Sequence, residues 1–297
     1  MDENKKKWII RLLLAAVSMA FMGGIVVLST IMYFSFSLPK ISTLSDYKPA
    51  IPSQILSKDG TVLAEIGKEK RIVARIEEIP QRVIDGFLAA EDSGFYEHEG
   101  VDYLGVFRAL IVNLKAGRVV QGGSTITQQV AKSLLLSRER SISRKIKDFL
   151  LAQKIEERFS KRDILYLYLN QVYLGGGYYG VKAAFRGYFD KELSEATNAE
   201  IAMIAGLLVA PGKYSPYVKP KFAKKRQAYV LRRMFETKKI NKQEYDEALK
   251  EKIVYKLRRP SEFKAGYFTD WIRQRVISFV GEDQLLTQGY KIHTTLD

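Results

Sequence analysis

Pro80-Gln81-Arg82-Val83-Ile84-Asp85-Gly86-Phe87-Leu88-Ala89-Ala90-Glu91-Asp92-Ser93-Gly94 sets the fold class of this 297-residue chain. Val83, Ile84, Phe87 and Leu88 recur at the spacing of one helix face, and Pro80 can open that helix in its first turn. Glu91 lies four residues after Phe87 and three after Leu88. It therefore continues the apolar face at the helix end, where Ser93-Gly94 breaks the pattern. A carboxyl group in that place is partly desolvated, which disfavours its charged form and suits it to proton transfer near neutral pH. The plainer alternative is a helix-terminal Glu turned back to water.

Outward from this helix the pattern stays helical. Val101 to Leu114 is unusually apolar for a surface helix and reads either as core or as a face that dips into a bilayer. Ser141 to Phe159 reads as a long helix on which Arg144, Lys145 and Asp148 share a face, the usual mark of a salt-bridged solvent face. Ser160 with Asp163 makes a capping-box start for the helix ending at Asn170, and Asn198 with Glu200 can start the apolar helix Ile201 to Val209. A basic helix from about Pro220 to Lys239 would turn its cations to headgroups or to water, and Asn241 with Glu244 opens a short one after it. Gly175-Gly176-Gly177 reads as a turn, because neither G-x-G-x-x-G after a strand nor G-x-x-x-x-G-K-[ST] occurs. A hairpin is expected where Lys58-Asp59-Gly60 separates Gln54-Ile55-Leu56-Ser57 from Thr61 to Ile66. The fold class expected from periodicity is mainly α.

Composition narrows the chemistry. With 46% apolar residues the chain can build a core, and with no cysteine it has neither disulfides nor thiolate chemistry. Its two histidines, His98 and His293, lack a ligand partner at helical spacing, which disfavours zinc. The net charge of +15 predicts an anionic partner: nucleic acid, phospholipid headgroups or a phosphorylated substrate. Leu12 to Leu38 carries no charge and can cross a bilayer, and Lys5, Lys6, Lys7 and Arg11 before it predict a cytoplasmic tail with the rest outside. That placement disfavours nucleic acid. The run is longer than a cleaved signal's apolar region, so an uncleaved signal anchor is expected. The expected divisions are a cytoplasmic tail at 1–7, a transmembrane anchor at 8–38, a stalk at 39–58, a catalytic domain at 59–250 and a linker at 251–297.

Five blocks in order carry a resemblance. They are E-D-x-x-F-x-x-H-x-G from Glu91 to Gly100, G-G-S-T-I-T-Q-Q from Gly122 to Gln129, Arg144-Lys145, I-L-x-x-Y-L-N from Ile164 to Asn170, and Ile204-Ala205-Gly206-Leu207 leading to Ala210-Pro211. Together they resemble the peptidoglycan glycosyltransferases of family 51, the glycosyltransferase part of bifunctional class A penicillin-binding proteins. The similarity runs from about Ile51 to Lys219. It implies a lysozyme-like helical domain with a membrane-associated lobe that includes the apolar stretch after Gly100. It also implies an enzyme that polymerises lipid II into glycan strands, with inversion and release of undecaprenyl pyrophosphate, on the outer face of the cytoplasmic membrane.

By match to the family, Glu91 is the general base that takes the proton of the acceptor sugar's 4-hydroxyl. Lys132, Arg138 and Lys145 match the cations near the diphosphate, and Thr125 and Gln129 match polar contacts to substrate. Asp92, Phe95 and His98 belong to the first block and are carried as site residues that shape the substrate pocket. Asp148 stands where the family has a second glutamate, in R-K-x-x-E, and is carried as the second acid. Its carboxylate is one methylene shorter, a shift of about 1 Å that can cost up to roughly 100-fold in rate. The resemblance fixes no metal site; a Mg or Mn ion at the diphosphate is a candidate, with Asp148 or Asp92 taking part only indirectly. The implied partners are lipid II, the growing glycan strand, the membrane and, as candidates, other cell-wall synthesis proteins.

Gln288 to Asp297 resembles the junction into a transpeptidase half, as expected of a fragment cut before it. S-x-x-K occurs at Ser37 to Lys40, Ser45 to Lys48 and Ser261 to Lys264 without any K-T-G, so no penicillin-reactive serine is expected. Two alternatives stand beside the transferase. One is a lysozyme-like lytic glycosidase, which has no diphosphate to neutralise; the other is a non-catalytic membrane scaffold for wall synthesis.

Overall fold

The computed structural model describes residues 3–39, 49–118, 122–135, 141–256 and 265–297. Helix α1 (Glu3–Phe36) is, among the described residues, the one helix long and apolar enough to cross a membrane. Its Arg11–Phe36 stretch has mean hydropathy 2.3 over 26 residues, and at ~1.5 Å of rise per residue this exceeds a hydrocarbon layer of ~30 Å. Of the expected stalk, residues 40–48 lie outside the described residues.

The helical core forms around α2 (Gln81–Glu91), the helix read from the opening stretch. It begins one residue after Pro80 and buries Val83, Ile84, Phe87 and Leu88. It packs against α8 (Asn198–Leu207) and α9 (Pro220–Glu236). Gly86 permits the close approach, since a Cβ there would collide with the Ile201 side chain. Helix α8 is buried on every side, and its cap is Thr197 rather than the expected Asn198: the Thr197 side chain accepts from Glu200 N and the Glu200 carboxylate accepts from Thr197 N.

A second helical group consists of α4 (Ile126–Leu135), α5 (Ile142–Glu156) and α6 (Lys161–Gln171), with α4 against both of the others. Ile126, Val130, Leu151, Ile155, Ile164 and Leu165 fill the space between them. The Ser160–Asp163 capping box opens α6 as the spacing predicts. At its other end Asn170 clamps the chain: Nδ2 donates to Ala74 O at 3.0 Å and to Tyr166 O at 2.9 Å, and Oδ1 accepts from Ala74 N at 2.8 Å. Buried Arg71, on β3 (Lys70–Arg71), donates to Asn170 O and pairs with Glu69 at 2.5 Å. Strand β3 pairs in parallel with β4 (Tyr178–Tyr179), just after the glycine turn and ahead of α7 (Val181–Phe189).

Helix α3 (Tyr103–Ala116) differs from its reading as core. Only Ala109 is buried, while Leu104, Phe107, Leu110 and Leu114 stand exposed in a contiguous apolar face. Asp102 caps it through Gly105 N at 2.7 Å.

The stretch 251–297, expected as a linker, is folded from residue 265 onward. After α10 (Lys242–Lys250), helix α11 (Gly266–Val280), α12 (Glu282–Thr287) and β5 (Lys291–His293) join the hairpin of β1 (Ser53–Leu56) and β2 (Val62–Ile66). The sheet order is β2-β1-β5, antiparallel then parallel, with Ile55 opposite Ile292. Ile55, Leu63, Ile66 and Leu285 make its separate small core. The expected stalk therefore ends in a sheet strand. No local signal announces this, because the residues that meet are remote: Tyr290 N donates to Ser53 Oγ across 237 positions.

Candidate active site

Glu91 closes α2, and its partly buried carboxyl group faces a cleft of about 610 Å³. Gln129 Nε2, from α4, donates to Glu91 Oε2 at 2.8 Å. Burial pushes the Glu91 pKa above its ordinary value; the Gln129 hydrogen bond and then the Arg226 charge oppose the rise, and neighbouring Asp92 adds to it. The carboxyl is thus a stronger proton acceptor than a solvated one. Buried Tyr168 lies near enough that Glu91 and Asp92 add to the rise that burial imposes on its phenol pKa.

Asp92 turns away from the reacting position. Its carboxylate is 3.0 Å from His98 Nε2 and accepts from Ile126 N at 3.0 Å, which places a negative charge at the N-terminus of α4. Thr125 caps the same helix: its Oγ1 accepts from Gln128 N at 3.2 Å and donates to Gly100 O at 2.6 Å, and Gln128 Oε1 accepts from Thr125 N. Gly100 has φ +85, and a Cβ there would meet Ala152 O at 2.7 Å, so the block's final glycine is set by close backbone contact. Phe95 is fully buried, with Lys161 Nζ 4.4 Å from its ring centre. Lys161 also donates to His98 O at 2.6 Å and to Glu156 at 2.8 Å.

Three residues of the first block stand as follows: Phe95 has no exposed surface, and Asp92, which lines the cleft, is bound to His98. Thr125 lines the cleft, but its hydroxyl is taken by the cap. Gln129 lines the cleft and reaches substrate space through Glu91.

The expected cations divide. Lys145, on α5, donates to Ser124 Oγ at 3.1 Å, and Ser124 lines the cleft, so Lys145 stands at its rim. Lys132, one turn beyond Gln129 on α4, is exposed and does not line the cleft. Arg138 lies outside the described residues. Asp148 is buried rather than solvated, at 4% exposure, and its Oδ1 has no hydrogen-bond partner. Burial raises its pKa, while Lys145, Arg144 and Lys132, in that order, pull it down. Asp148 is therefore the counter-charge around which these cations gather, behind the cleft wall.

The cleft's own positive charge comes from residues that sequence reasoning did not single out. Arg108, Arg118, Lys213, Arg226 and Arg233 all line it. Arg226 stacks over the Tyr229 ring at 4.3 Å, and Arg233 donates to Ser93 Oγ at 3.3 Å. Arg226, Tyr229 and Arg233 are three, four and seven apart on α9, a shared helix face that the sequence displays. Among the described residues, no three acid or histidine side chains converge as a metal-ligand set.

Comparison with known proteins gives the chain a family. The family model described as Transglycosylase matches residues 59–235. A penicillin-binding protein 1A of Neisseria flavescens is 46% identical over 261 residues, covering 88% of this chain and 33% of that protein. The one from Aquifex aeolicus is 42% identical over 98% of this chain and 39% of its own length. The crystal structure of penicillin-binding protein 1A from Haemophilus influenzae superposes with a TM-score of 0.50 at 32% identity, over 84% of this chain and 27% of that one. The chain thus spans about a third of the length of these relatives. With its helical fold, its acid at the end of α2 and its matched blocks, the chain belongs to the transglycosylase family, the peptidoglycan glycosyltransferases of class A penicillin-binding proteins.

Proposed function

We propose that this chain polymerises lipid II into glycan strands, inverting the anomeric centre and releasing undecaprenyl pyrophosphate at the outer face of the membrane that α1 crosses. The observation that carries this reading is the position of Glu91: a desolvated carboxyl group at the wall of a cleft that Arg108, Arg118, Lys213, Arg226 and Arg233 also line, against Asp92 and Asp102. A base and fixed cations are what the reaction needs together.

Glu91 takes the proton from the acceptor's 4-hydroxyl as that oxygen bonds to the donor's anomeric carbon. The anomeric C–O bond to the diphosphate breaks, and the electron pair leaves with the diphosphate. Lys145 at the rim and the cleft arginines stabilise that developing charge in a partly dehydrated place, where fixed charges act strongly. Lys132 and Arg138 join them by family match, and Asp148 orients the group. Because no described acid cluster fits a protein-held Mg or Mn ion, what the chain itself offers a diphosphate is these side chains. The charge at the rim also favours the transferase over a lytic glycosidase, whose neutral glycan has no diphosphate to neutralise. The exposed apolar face of α3, which begins at the cleft with Arg108 among its residues, would rest in the lipid that carries the substrate.

The test is to offer the protein lipid II and, separately, finished glycan. Polymer from the first with no sugar released from the second supports the reading. Release from the second with no polymer from the first overturns it in favour of a lytic enzyme.

A further inference from the structure

Asp92 stands where two helix ends meet. It closes α2, its N–H donating to Leu88 O at 2.8 Å, and its carboxylate accepts from Ile126 N, at the first residue of α4, at 3.0 Å. A negative charge is unfavourable at a helix C-terminus and favourable at an N-terminus, so this acid is held by α4 and not by its own helix. Its neighbour in the chain is Glu91.

Hydrogen bonds close a ring through these residues. From Asp92 the path runs to Ile126 N, along α4 to Gln129, from Gln129 Nε2 to Glu91 Oε2 at 2.8 Å, and back across one peptide bond. Gln129 is three residues beyond Ile126, close to one turn of helix. A shift in how α4 starts is therefore passed to the amide that grips Glu91.

His98 supports the ring from outside. Its Nε2 lies 3.0 and 3.2 Å from the two Asp92 oxygens, and because a carboxylate can only accept, Nε2 carries the proton. Nδ1 has no hydrogen-bond partner among the described residues, so the polar contacts of the ring all go to Asp92. The side chain is 9% exposed and does not line the cleft that Glu91 faces. Its own place is fixed on several sides: Lys161 Nζ donates to His98 O at 2.6 Å, and the Phe95 ring meets the imidazole edge-on at 6.2 Å between centroids. A histidine so fixed, with one polar neighbour and no access to substrate, acts through that neighbour.

Resting on the transferase reading above, we propose that His98 is a positioning residue for the general base: it orients Asp92, which sets the first turn of α4 and so holds Gln129 against Glu91. Without its N–H, Asp92 is free to turn, and the start of α4 with it. The Glu91 carboxyl then loses the bond that aims it. Arg226, on α9, is the cation whose charge also acts on Glu91, and it lies outside this ring.

The test is a double-mutant cycle in the full chain: wild type, His98→Leu, Gln129→Ala and the two combined, with His98→Gln beside them. His98→Leu should lower kcat about tenfold with KM for lipid II unchanged, less than the roughly 100-fold that 1 Å of misplacement can cost. His98→Gln keeps an N–H donor of similar reach and should recover most of the rate. Because both residues act through one bond, the combined variant should be no slower than Gln129→Ala alone. The Glu91 titration is read without substrate, from the melting-temperature gap between each protein and its Glu91→Gln counterpart, followed against pH. In His98→Leu it should move to higher pH, as the Gln129 bond that opposes burial weakens. Any of three results overturns the proposal: losses that multiply in the combined variant, a Glu91 titration that does not move in His98→Leu, or His98→Gln as slow as His98→Leu. A wild type that makes no polymer while the titration moves as expected removes the transferase reading and keeps the positioning role. Polymer from the wild type, with multiplied losses and an unmoved titration, does the reverse. Should His98→Leu fail to melt cooperatively, His98→Asn, too short to reach Asp92, takes its place in the cycle.

Discussion

Gln129 Nε2 donates to Glu91 Oε2 at 2.8 Å, and through this bond α4 holds the acid that ends α2. The bond favours the charged carboxylate and so works against burial, which favours the neutral form. Replacing Gln129 with Ala removes that opposition and also frees the carboxyl to turn. The Glu91 pKa should rise further, moving the acidic limb of the kcat/KM profile to higher pH, and turnover at neutral pH should fall about tenfold or more. A pH profile of initial rates checks both.

Arg226 opposes the same burial by its charge, and it lines the cleft. Arg226→Gln should shift the acidic limb in the same direction while also raising KM, since a cation facing the substrate is lost. A KM that stays at the wild-type value would place Arg226 outside the binding surface.

Glu91 should cost stability where it is ionised. A carboxyl whose pKa is raised on folding contributes stability that is fully present below its unfolded value and is lost as pH rises through the folded value. Gln at this position does not titrate. Glu91→Gln should therefore melt higher than the wild type above the folded pKa, with the gap closing as the pH falls. Each kcal/mol corresponds to ~2–4 °C in a domain of this size, and scanning calorimetry at several pH values reads it directly.

Asp148 is buried with an unpartnered oxygen and gathers Lys145, Arg144 and Lys132 around it. Asp148→Asn keeps the shape and removes the charge. Turnover should drop by up to ~100-fold through displaced cations, while the melting temperature holds or rises because a desolvated acid is gone. A lowered melting temperature with unchanged turnover would make Asp148 a packing residue only.

Asn170→Ala deletes two hydrogen bonds that tie α6 to Ala74 and a third, within α6, to Tyr166 O. Leaving the backbone groups of Ala74 without partners should cost about 2–4 kcal/mol, read as a shift in the urea midpoint at constant slope.

Much of this was legible from local pattern. The face of Val83, Ile84, Phe87 and Leu88 carried the reading to Glu91, and the capping boxes at Ser160 and Asn241 were visible as residue spacings. What could not be read depends on remote partners. Strand β5 finds β1 from the other end of the chain, so its few residues looked like linker. Asp148 looked like a surface ion-pair member because spacing reports the helix face but not what covers it. Arg226 and Arg233 were visible as one face of a basic helix, yet only the packing of α9 against α2 brings that face to the acid. Glu91, Asp92, Phe95 and His98 fall within one motif whose members look alike in sequence, although the structure divides them into the Glu91 acid facing the cleft and a brace of Asp92 on His98 beside buried Phe95.

The most direct measurement is the rate of glycan polymer formation from lipid II by the Glu91→Gln variant, in membranes or detergent, beside a thermal melt that confirms its fold. The amide preserves size and hydrogen bonding to Gln129 but cannot accept the proton, so the rate should fall by more than about 100-fold, within the range for loss of a general base. A folded variant that polymerises at the wild-type rate would contradict the assignment and place the base on another residue.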